Sequence, residues 1–431
     1  MICLLPNCGY LSETSRMLEF HKALRARGAD VRVATHGGVH EDLLAAAGVA
    51  HDIVGPGMSA RRSAEFVRSG LGLGPPGQSM YTDDELRTYV LAEAEYFREH
   101  GITVAVTGFT LTTLLSTRLA GVGLVTEHAG SWVPPVFERG LLPVPTTRQG
   151  PPRFMPGFLA RRAVARRLPS LRYYCSGFDR IAAELGVEPV PSMPALLLGD
   201  LTLVPEIPEV VGIPDEEMAA WRPGRGYRPD TRLHYTGPLF AHLDLPLPDR
   251  VEKFLDAPGP VVYAALTSTP PELIRRVVGA LAAVDARVLV AATVHDLADL
   301  EDERVMVESV LPSHLVMPRA DLAIVTAGQG SLQTAMAAGT PAIGIPLHLE
   351  QDLNVVLLER LGASRRLAPD DVVPKLAALT RRMLADDSHR RSARRIQQRY
   401  DAVDGPAAAA EAILQFAARQ GAGTSLPEGH R

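Results

Sequence analysis

Short apolar runs alternate along the chain with segments in which apolar residues recur at helical spacing. Runs of this length predict buried strands, and the segments between them predict amphipathic helices. A regular alternation of strand and helix is typical of βαβ units that share a parallel sheet. In the first half we predict strands at residues 2–5, 31–35, 103–107 and 124–127, and helices at residues 12–27, 39–47 and 110–120.

A second series of the same kind follows a turn at Thr236-Gly237-Pro238-Leu239 and a proline-punctuated segment. We therefore predict an α/β protein with two doubly wound, Rossmann-like domains and a cleft between them. The second series predicts strands at residues 261–266, 288–292, 305–307, 322–325 and 342–345, and helices at residues 271–284 and 331–338. The expected units are an N-terminal domain (1–235), a linker (236–258), a C-terminal domain (259–405), a helix packing back on the first domain (406–420) and a flexible tail (421–431).

Two parts of the first half interrupt this rhythm. Residues 55–78 are rich in glycine and proline, and residues 133–156 are rich in proline. We interpret both as long loops over one face of the domain, where recognition residues often lie.

Composition narrows the class of protein. The chain has 431 residues, 46% of them hydrophobic, and a formal net charge of −5, which disfavours a nucleic-acid partner. No stretch approaches the roughly 18 apolar residues of a membrane span, and residues 1–6 resemble a strand more than a signal peptide. Cys3, Cys8 and Cys175 cannot all pair with one another, so we expect reduced thiols and a cytoplasmic location.

Candidate chemistry concentrates in residues 320–367. A strand there leads into the small-residue turn 327–331 at a helix N-terminus, where free backbone N–H groups and the helix dipole favour a diphosphate. Glu350 and Gln351 follow the next strand, at the edge where doubly wound sheets bind ligands, and are suited to sugar hydroxyls. Tight packing of a turn and helix capping account for the same residue types, so that alternative stays open.

This segment resembles the donor-binding signature of family 1 glycosyltransferases, His-Gly-Gly-x-Gly-Ser/Thr followed by Gly-x-Pro and Asp/Glu-Gln. The resemblance implies the two-domain GT-B fold, a nucleoside diphosphate sugar based on UDP or TDP as co-substrate, and no further cofactor or metal. One residue departs from the pattern, because Thr326 stands where the family has a histidine that contacts the diphosphate. A threonine hydroxyl donates one hydrogen bond but carries no charge, so donor binding could weaken by roughly 1–3 kcal/mol.

Carried over position by position, the resemblance implies three groups of donor-site residues. It places Thr326, Ala327, Gly328, Gln329, Gly330, Ser331 and Ser268 at the diphosphate, Glu350 and Gln351 at the sugar, and Val310, Ser313 and Asn354 at the nucleotide.

The catalytic base is a second departure. The family has Gly-His in its N-terminal loop, whereas this chain has Gly9-Tyr10, and a phenol is a poor base near neutral pH. Glu13 is one replacement, kept ionised by a helix N-terminus, although a first-turn glutamate after Ser12 as N-cap is an equally simple interpretation. His128, at the end of a predicted strand, is the other; adjacent strand residues face opposite ways, which argues against pairing with Glu127.

Four further motifs are weaker. Residues 72–77 match a dinucleotide fingerprint but follow no strand, and His36-Gly37-Gly38 is best interpreted as a turn after the second strand. Cys8 has no histidine spaced to activate it as a nucleophile. No Asp-x-Asp pair that could hold a diphosphate-bound metal occurs, so we expect a metal-independent reaction. We predict a basic helix from Arg161, Arg162, Arg166, Arg167 and Arg172. Such a helix could bind a phosphorylated acceptor or an anionic lipid surface, or it could simply present a charged face to solvent.

The sequence therefore predicts an inverting, metal-independent glycosyltransferase that acts on a small, natural-product-like acceptor. Two alternatives remain: a glycosyltransferase-like protein that serves as a binding or auxiliary partner, and a transferase that acts on an acceptor nitrogen. The expected partners are a nucleotide sugar and a small-molecule acceptor, with no nucleic acid and no membrane span. A homodimer is left open.

Overall fold

The structure is a computed structural model. It describes residues 1–70, 78–143, 156–240, 242, 245–266, 269–292 and 295–423. The fingerprint-like segment 72–77, Ser268 and the end of the predicted tail lie outside the described residues. Among the described helices, none combines the length and the apolar character that a membrane crossing requires.

The first sheet is built from residues of the N-terminal half. Its seven described strands are all parallel and lie in the order β3-β2-β1-β4-β5-β6-β7. The chain reverses its direction of growth between the neighbours β1 and β4, which is the switch point of a doubly wound sheet. The strands are β1 (Ile2–Leu4), β2 (Val31–Thr35), β3 (Asp52–Ile53), β4 (Val104–Thr107), β5 (Gly123–Glu127), β6 (Leu201–Val204) and β7 (Arg232–Tyr235).

The second sheet follows the same plan. Its six described strands are parallel, in the order β10-β9-β8-β11-β12-β13, and its switch point lies between β8 and β11. Both sheets are buried on their two faces by helices, which explains their continuous apolar strands. The strands are β8 (Val261–Ala265), β9 (Arg287–Ala291), β10 (Val305–Glu308), β11 (Leu322–Val325), β12 (Ala342–Gly344) and β13 (Ser364–Arg366).

Helices connect these strands. Around the first sheet they are α1 (Leu11–Ala26), α2 (Asp42–Ala46), α3 (Ala60–Gly70), α4 (Asp83–Glu99), α5 (Thr113–Ala120), α6 (Pro134–Glu138), α7 (Gly157–Arg167), α8 (Cys175–Leu185), α9 (Pro208–Val211) and α10 (Asp215–Ala219). Those that follow are α11 (Asp249–Asp256), α12 (Pro271–Leu281), α13 (Ser313–Val316), α14 (Gln329–Ala337), α15 (Leu349–Arg360), α16 (Val372–Ala385), α17 (Asp387–Tyr400) and α18 (Gly405–Gly423). The predicted fold class of two parallel-sheet α/β domains is confirmed.

Parts of the two predicted loops are helical, and that prediction was wrong. Helix α3 lies within 55–78: Phe66 is fully buried, and Arg62 forms an ion pair with Glu85 at 2.7 Å. Helix α6 lies within 133–156, where Pro134 and Pro135 open the helix and Phe137 is buried. Proline at the first helical positions favours a helix start, a signal that the overall proline count obscured.

The last helix returns to the first domain. Helix α18 packs against α1 and β5 and contributes Ala409, Ala410 and Ile413 to the apolar layer behind the first sheet. At Gly123 in β5, a Cβ atom would stand 2.7 Å from the ring of Phe416, so only glycine allows this approach. The C-terminal chain thereby ties the two domains together.

Candidate active site

Glu13 lies at the switch point of the first sheet, in the first turn of α1. Its Oε1 atom accepts hydrogen bonds from the backbone N–H of Gly108 (3.0 Å) and of Phe109 (2.6 Å), just after β4. The Oε2 atom is buried and has no hydrogen-bond partner among the described residues. One carboxylate oxygen is thus fixed by the protein, and the other is buried with its hydrogen-bonding capacity unused by the described residues.

Two details of the predicted role of Glu13 are wrong. Tyr10, not Ser12, is the N-cap of α1, and no side chain caps that helix. Burial raises the pKa of Glu13 to about 7, and the hydrogen bonds from Phe109 and Asn7 offset this only in part. The helix N-terminus therefore does not keep Glu13 fully ionised, because the cost of desolvating the carboxylate is larger.

Arg16, one turn further along α1, brings charge to the same place. Its Nε atom donates a 2.7 Å hydrogen bond to Oε2 of Glu127 at the end of β5. Burial lowers the pKa of Arg16, but the carboxylates of Glu127, Glu13 and Glu350 together raise it. Since Glu350 belongs to α15 of the second domain, charges of both domains act on Arg16.

His128 and Tyr10, the other candidate bases, are held in forms that do not accept protons readily. Burial, followed by the charge of Arg16, lowers the pKa of His128 to about 3, so its imidazole stays neutral. Its buried Nε2 atom has no partner among the described residues. Burial raises the pKa of Tyr10 above its ordinary value, and its ring packs edge-on against Phe66 and Phe109.

The donor loop follows β11 at the switch point of the second sheet. Helix α14 begins at Gln329 with Gly328 as N-cap, and no side chain caps its first turn. This start is two residues earlier than predicted, so Ser331 belongs to the helix; its Oγ atom donates to the Gly328 carbonyl at 2.9 Å. Ala327 is fully buried with φ of 64°, a left-handed conformation that is strained for a residue other than glycine. The uncapped backbone N–H groups are available to an anion.

The sugar-end residues lie at the start of α15. Asn354 donates through Nδ2 to the Ala327 carbonyl (3.2 Å) and to Oε1 of Glu350 (3.3 Å). Its Oδ1 atom accepts a hydrogen bond from Ser131 of the first domain. The Asn354 amide therefore holds the donor loop, the sugar-end carboxylate and the opposite domain together. Oε1 of Gln351 accepts a 2.8 Å hydrogen bond from the backbone N–H of Leu347, which shapes the preceding turn.

The remaining donor-site candidates are spread around the same edge. Thr326 is 7% exposed directly before the strained Ala327, and Val310 is exposed. Ser313 shares a 2.8 Å hydrogen bond with the hydroxyl of Tyr263 in β8. The side chain of Gln329 turns toward the first domain and donates to the Pro205 carbonyl at 3.0 Å. The predicted roles of these residues in binding the nucleotide and the diphosphate stay predictions.

A second group of hydrogen bonds joins α14 to residues of the first domain. Gln333 donates to Oε2 of Glu206, which follows β6, at 3.2 Å and also to the Pro205 carbonyl. Oε1 of Glu206 accepts from the hydroxyl of Tyr400 in α17 at 2.7 Å. Burial raises the pKa of Glu206 to about 7. The helix that carries the donor loop is thus anchored to the first domain.

The weaker motifs are mostly structural. Nε2 of His36 shares a 2.7 Å hydrogen bond with Oε1 of Glu93, and the imidazole stacks on Tyr89, so His36 is held in the core. His40 lies four residues after His36. Among the described residues, no group of three or more His, Cys, Asp or Glu side chains is placed to hold a metal ion. Burial raises the pKa of Cys8 to about 11, which disfavours a thiolate nucleophile. The predicted basic helix ends at Arg167, so Arg172 is not part of it.

Comparison with known proteins finds similarity to glycosyltransferases. The family described as erythromycin biosynthesis protein CIII-like, C-terminal domain, matches residues 275–416. A PGL/p-HBAD biosynthesis glycosyltransferase of Mycobacterium tuberculosis is 26% identical over 334 residues, 75% of this chain and 73% of that protein. The oleandomycin glycosyltransferase of Streptomyces antibioticus is 34% identical over 119 residues, 27% of each chain.

Solved structures match the whole fold. The glycosyltransferase VinC, in complex with DTDP, has a TM-score of 0.65 at 18% identity, covering 97% of this chain and 100% of its own. The glycosyltransferase SnogD from Streptomyces nogalater has a TM-score of 0.64 at 21% identity, covering 96% and 100%. The chain is a glycosyltransferase of the GT-B fold. These similarities confirm the resemblance of residues 320–367 to the family 1 glycosyltransferases of the natural-product type.

Several residues of this site, Arg16, Ser131 and Pro205 among them, were not sequence-based candidates. Each of these three residues is joined to the site by a hydrogen bond to a residue more than a hundred positions away in the sequence. Arg16 also lies near Glu13, which is only three positions away. The only local signal was the spacing of Glu13 and Arg16, which places both on one face of α1.

Proposed function

We propose that this enzyme transfers a sugar, with inversion and without a metal ion, from a nucleoside diphosphate to a hydroxyl of a small, natural-product-like acceptor. The observation that carries the proposal is the Glu13 carboxylate, fixed through one oxygen by Gly108 and Phe109 and unpartnered at the other. A pKa near 7 makes this carboxylate an effective general base close to neutral pH.

In the proposed step, the acceptor hydroxyl gives its proton to Oε2 of Glu13 while its oxygen forms a bond to the anomeric carbon. The bond from that carbon to the diphosphate breaks, and the diphosphate leaves with the electron pair. The uncapped first turn of α14, from Gly328 to Ser331, stabilises the leaving group. Glu350 and Gln351 orient the sugar hydroxyls, while Arg16 and the neutral His128 line the acceptor side.

We propose thymidine diphosphate as the preferred nucleotide over uridine diphosphate. The support is that VinC and a second matching glycosyltransferase, from Streptomyces sp. SF2575, were solved with thymidine diphosphate. The relatives named for oleandomycin and for PGL/p-HBAD biosynthesis support an acceptor of the natural-product type. The cytoplasmic location stays a prediction, and a homodimer stays open.

Glu13→Gln tests the proposal. We expect turnover to fall by about 10²–10⁴-fold because the amide accepts no proton, while nucleotide affinity measured by calorimetry stays unchanged. Glu19→Gln, which removes a partly exposed carboxylate from the same helix, should leave turnover unchanged. Wild-type turnover in Glu13→Gln would show that Glu13 is not the base. Retained nucleotide binding by the wild type, with no transfer to any acceptor tried, would favour an auxiliary role.

A further inference from the structure

Basic residues are unevenly distributed along the chain. Residues 139–178 contain eight of the 44 basic residues and none of the 49 acidic residues, in a chain whose net charge is −5. All eight are arginines: Arg139, Arg148, Arg153, Arg161, Arg162, Arg166, Arg167 and Arg172. An acid-free run of this kind produces a strong local positive potential.

Helix α7 presents the middle of this run to solvent. Its first large apolar side chains, Phe158 and Leu159, are 64% and 42% exposed, and Ala160 is its one buried residue. Exposed apolar side chains are common singly, but two adjacent ones at the end of a weakly packed helix form a small apolar patch. The helix therefore offers both apolar and cationic groups to a partner.

The arginines of α7 lack acidic partners within the part of the chain that the structure describes. Arg139 pairs with Glu217, and Arg172 pairs with Asp179. No described carboxylate lies within 4.0 Å of the four α7 guanidinium groups, those of Arg161, Arg162, Arg166 and Arg167. No carboxylate among the described residues neutralises their charge.

This surface borders the interdomain cleft. Helix α7 packs on α6, which begins three residues after Ser131. At its other side, Arg161 lies close enough to Arg360 of α15 for its charge, after burial, to lower the pKa of Arg360. Arg360 in turn donates to the carbonyl of Leu141 in the first domain. The apolar and basic patch thus lies beside the junction of the two domains.

We propose that α7 docks the enzyme on an anionic lipid bilayer. Arginine side chains attract acidic headgroups, and Phe158 and Leu159 insert at the boundary between headgroups and acyl chains. A soluble polyanion would satisfy the arginines equally well but would leave both apolar side chains in water. Because α7 adjoins the domain junction, docking brings the mouth of the cleft to the lipid surface. The proposal does not depend on which sugar the enzyme transfers.

Vesicle flotation of the full chain tests the proposal. We expect the wild type to float with phosphatidylglycerol vesicles and not with phosphatidylcholine vesicles, and 0.5 M salt should weaken the association. Replacing Arg161, Arg162, Arg166 and Arg167 together by glutamine should reduce partitioning on the order of a hundredfold. The double variant Phe158→Ser and Leu159→Ser should reduce it about tenfold or more, with the charges intact.

The matched control removes four exposed arginines from α17, namely Arg391, Arg394, Arg395 and Arg399, by the same change to glutamine. Vesicle binding retained in this control and lost in both α7 variants supports the proposal. Absence of wild-type binding to phosphatidylglycerol overturns it, as does an equal loss in the α17 variant. Binding that does not change with Phe158→Ser and Leu159→Ser, and that free heparin abolishes, would instead identify a site for a soluble polyanion.

Discussion

Ser131 of the first domain donates a hydrogen bond to Asn354 of the second, and the same Asn354 amide holds the carbonyl of Ala327 in the donor loop. Ser131 and Asn354 are 4% and 7% exposed, so water competes little for this contact. Ala327 has the left-handed conformation that an alanine adopts only under constraint. The shape of the donor loop is therefore linked to the contact between the two domains.

Ser131→Ala should weaken nucleotide binding. The change leaves the buried Oδ1 atom of Asn354 without a donor, which costs about 1–3 kcal/mol, and frees the domains to separate. We expect the dissociation constant for thymidine diphosphate to rise about tenfold in calorimetric titration. Ser15→Ala, which removes an exposed hydroxyl bonded to its own helix, is the control. Equal affinity in all three proteins would mean that the Ser131–Asn354 contact does not position the donor loop.

Tyr10→Phe should retain turnover within about twofold, because burial keeps the phenol protonated and its ring packs between Phe66 and Phe109. Tyr10→Ala should instead lower the free energy of unfolding by about 1–3 kcal/mol, since it removes a partly buried ring. Urea unfolding and steady-state rates separate the two effects. A large loss of kcat in Tyr10→Phe at unchanged stability would show that the hydroxyl takes part in the reaction.

The donor end could be predicted from the sequence because its parts are close along the chain. The loop at Ala327, the start of α14 and the Glu350-Gln351 pair all fall within residues 320–367, and the order of strand and helix places them at one sheet edge. The family signature gave the fold from the same segment. The start of α14 was misplaced by two residues because Gly328, rather than a polar side chain, serves as N-cap.

The acceptor side could not be predicted in this way. Glu13 depends on the backbone of Gly108 and Phe109, and Arg16 depends on Glu127, 111 positions away. The helix N-terminus was expected to keep Glu13 ionised, but burial raises its pKa instead. The periodicity of apolar residues does not show that this glutamate is buried. The Ser131–Asn354 contact joins residues 223 positions apart across two domains, and no local pattern indicates it.

Stability should decrease as the pH rises through neutrality. Burial raises the native pKa of both Glu13 and Glu206 from an ordinary value of 4.5 to about 7. Between these two pH values the native state therefore binds more protons than the unfolded chain. Each group therefore lowers the unfolding free energy by up to about 3 kcal/mol between pH 4.5 and a pH above 7. Below pH 4.5 both states are protonated, and this stabilisation is complete.

Glu206→Gln should reduce that pH dependence because its side chain stays neutral. We expect the difference in unfolding free energy between pH 5 and pH 8 to shrink by about 1–3 kcal/mol, as measured by urea titration. Glu209→Gln, which alters a half-exposed carboxylate paired with Arg399, should keep the wild-type dependence. An unchanged pH dependence in Glu206→Gln would mean that Glu206 is ionised in the native protein throughout this range.

Gly344 at the end of β12 sets how closely the donor loop approaches the sheet. A Cβ atom there would lie 2.6 Å from Cγ2 of Val355 in α15 and 3.0 Å from Cβ of Ala327. Gly344→Ala must therefore push the donor loop and α15 apart, and we expect it to lower the unfolding free energy by about 1–3 kcal/mol and to weaken nucleotide binding.

Val355→Ala in the same chain should restore only part of both losses, because it removes Cγ2 at 2.6 Å but leaves the Cβ atom of residue 355 at 2.9 Å from the new methyl group. Gly279→Ala, in the exposed face of α12 with no atom within 4 Å of the new methyl group, is the matched control and should be neutral or stabilising by up to about 1 kcal/mol. Unfolding by urea and calorimetric titration with thymidine diphosphate measure the two effects on the same samples. If Gly344→Ala loses stability but binds nucleotide normally, the donor loop adjusts independently of β12.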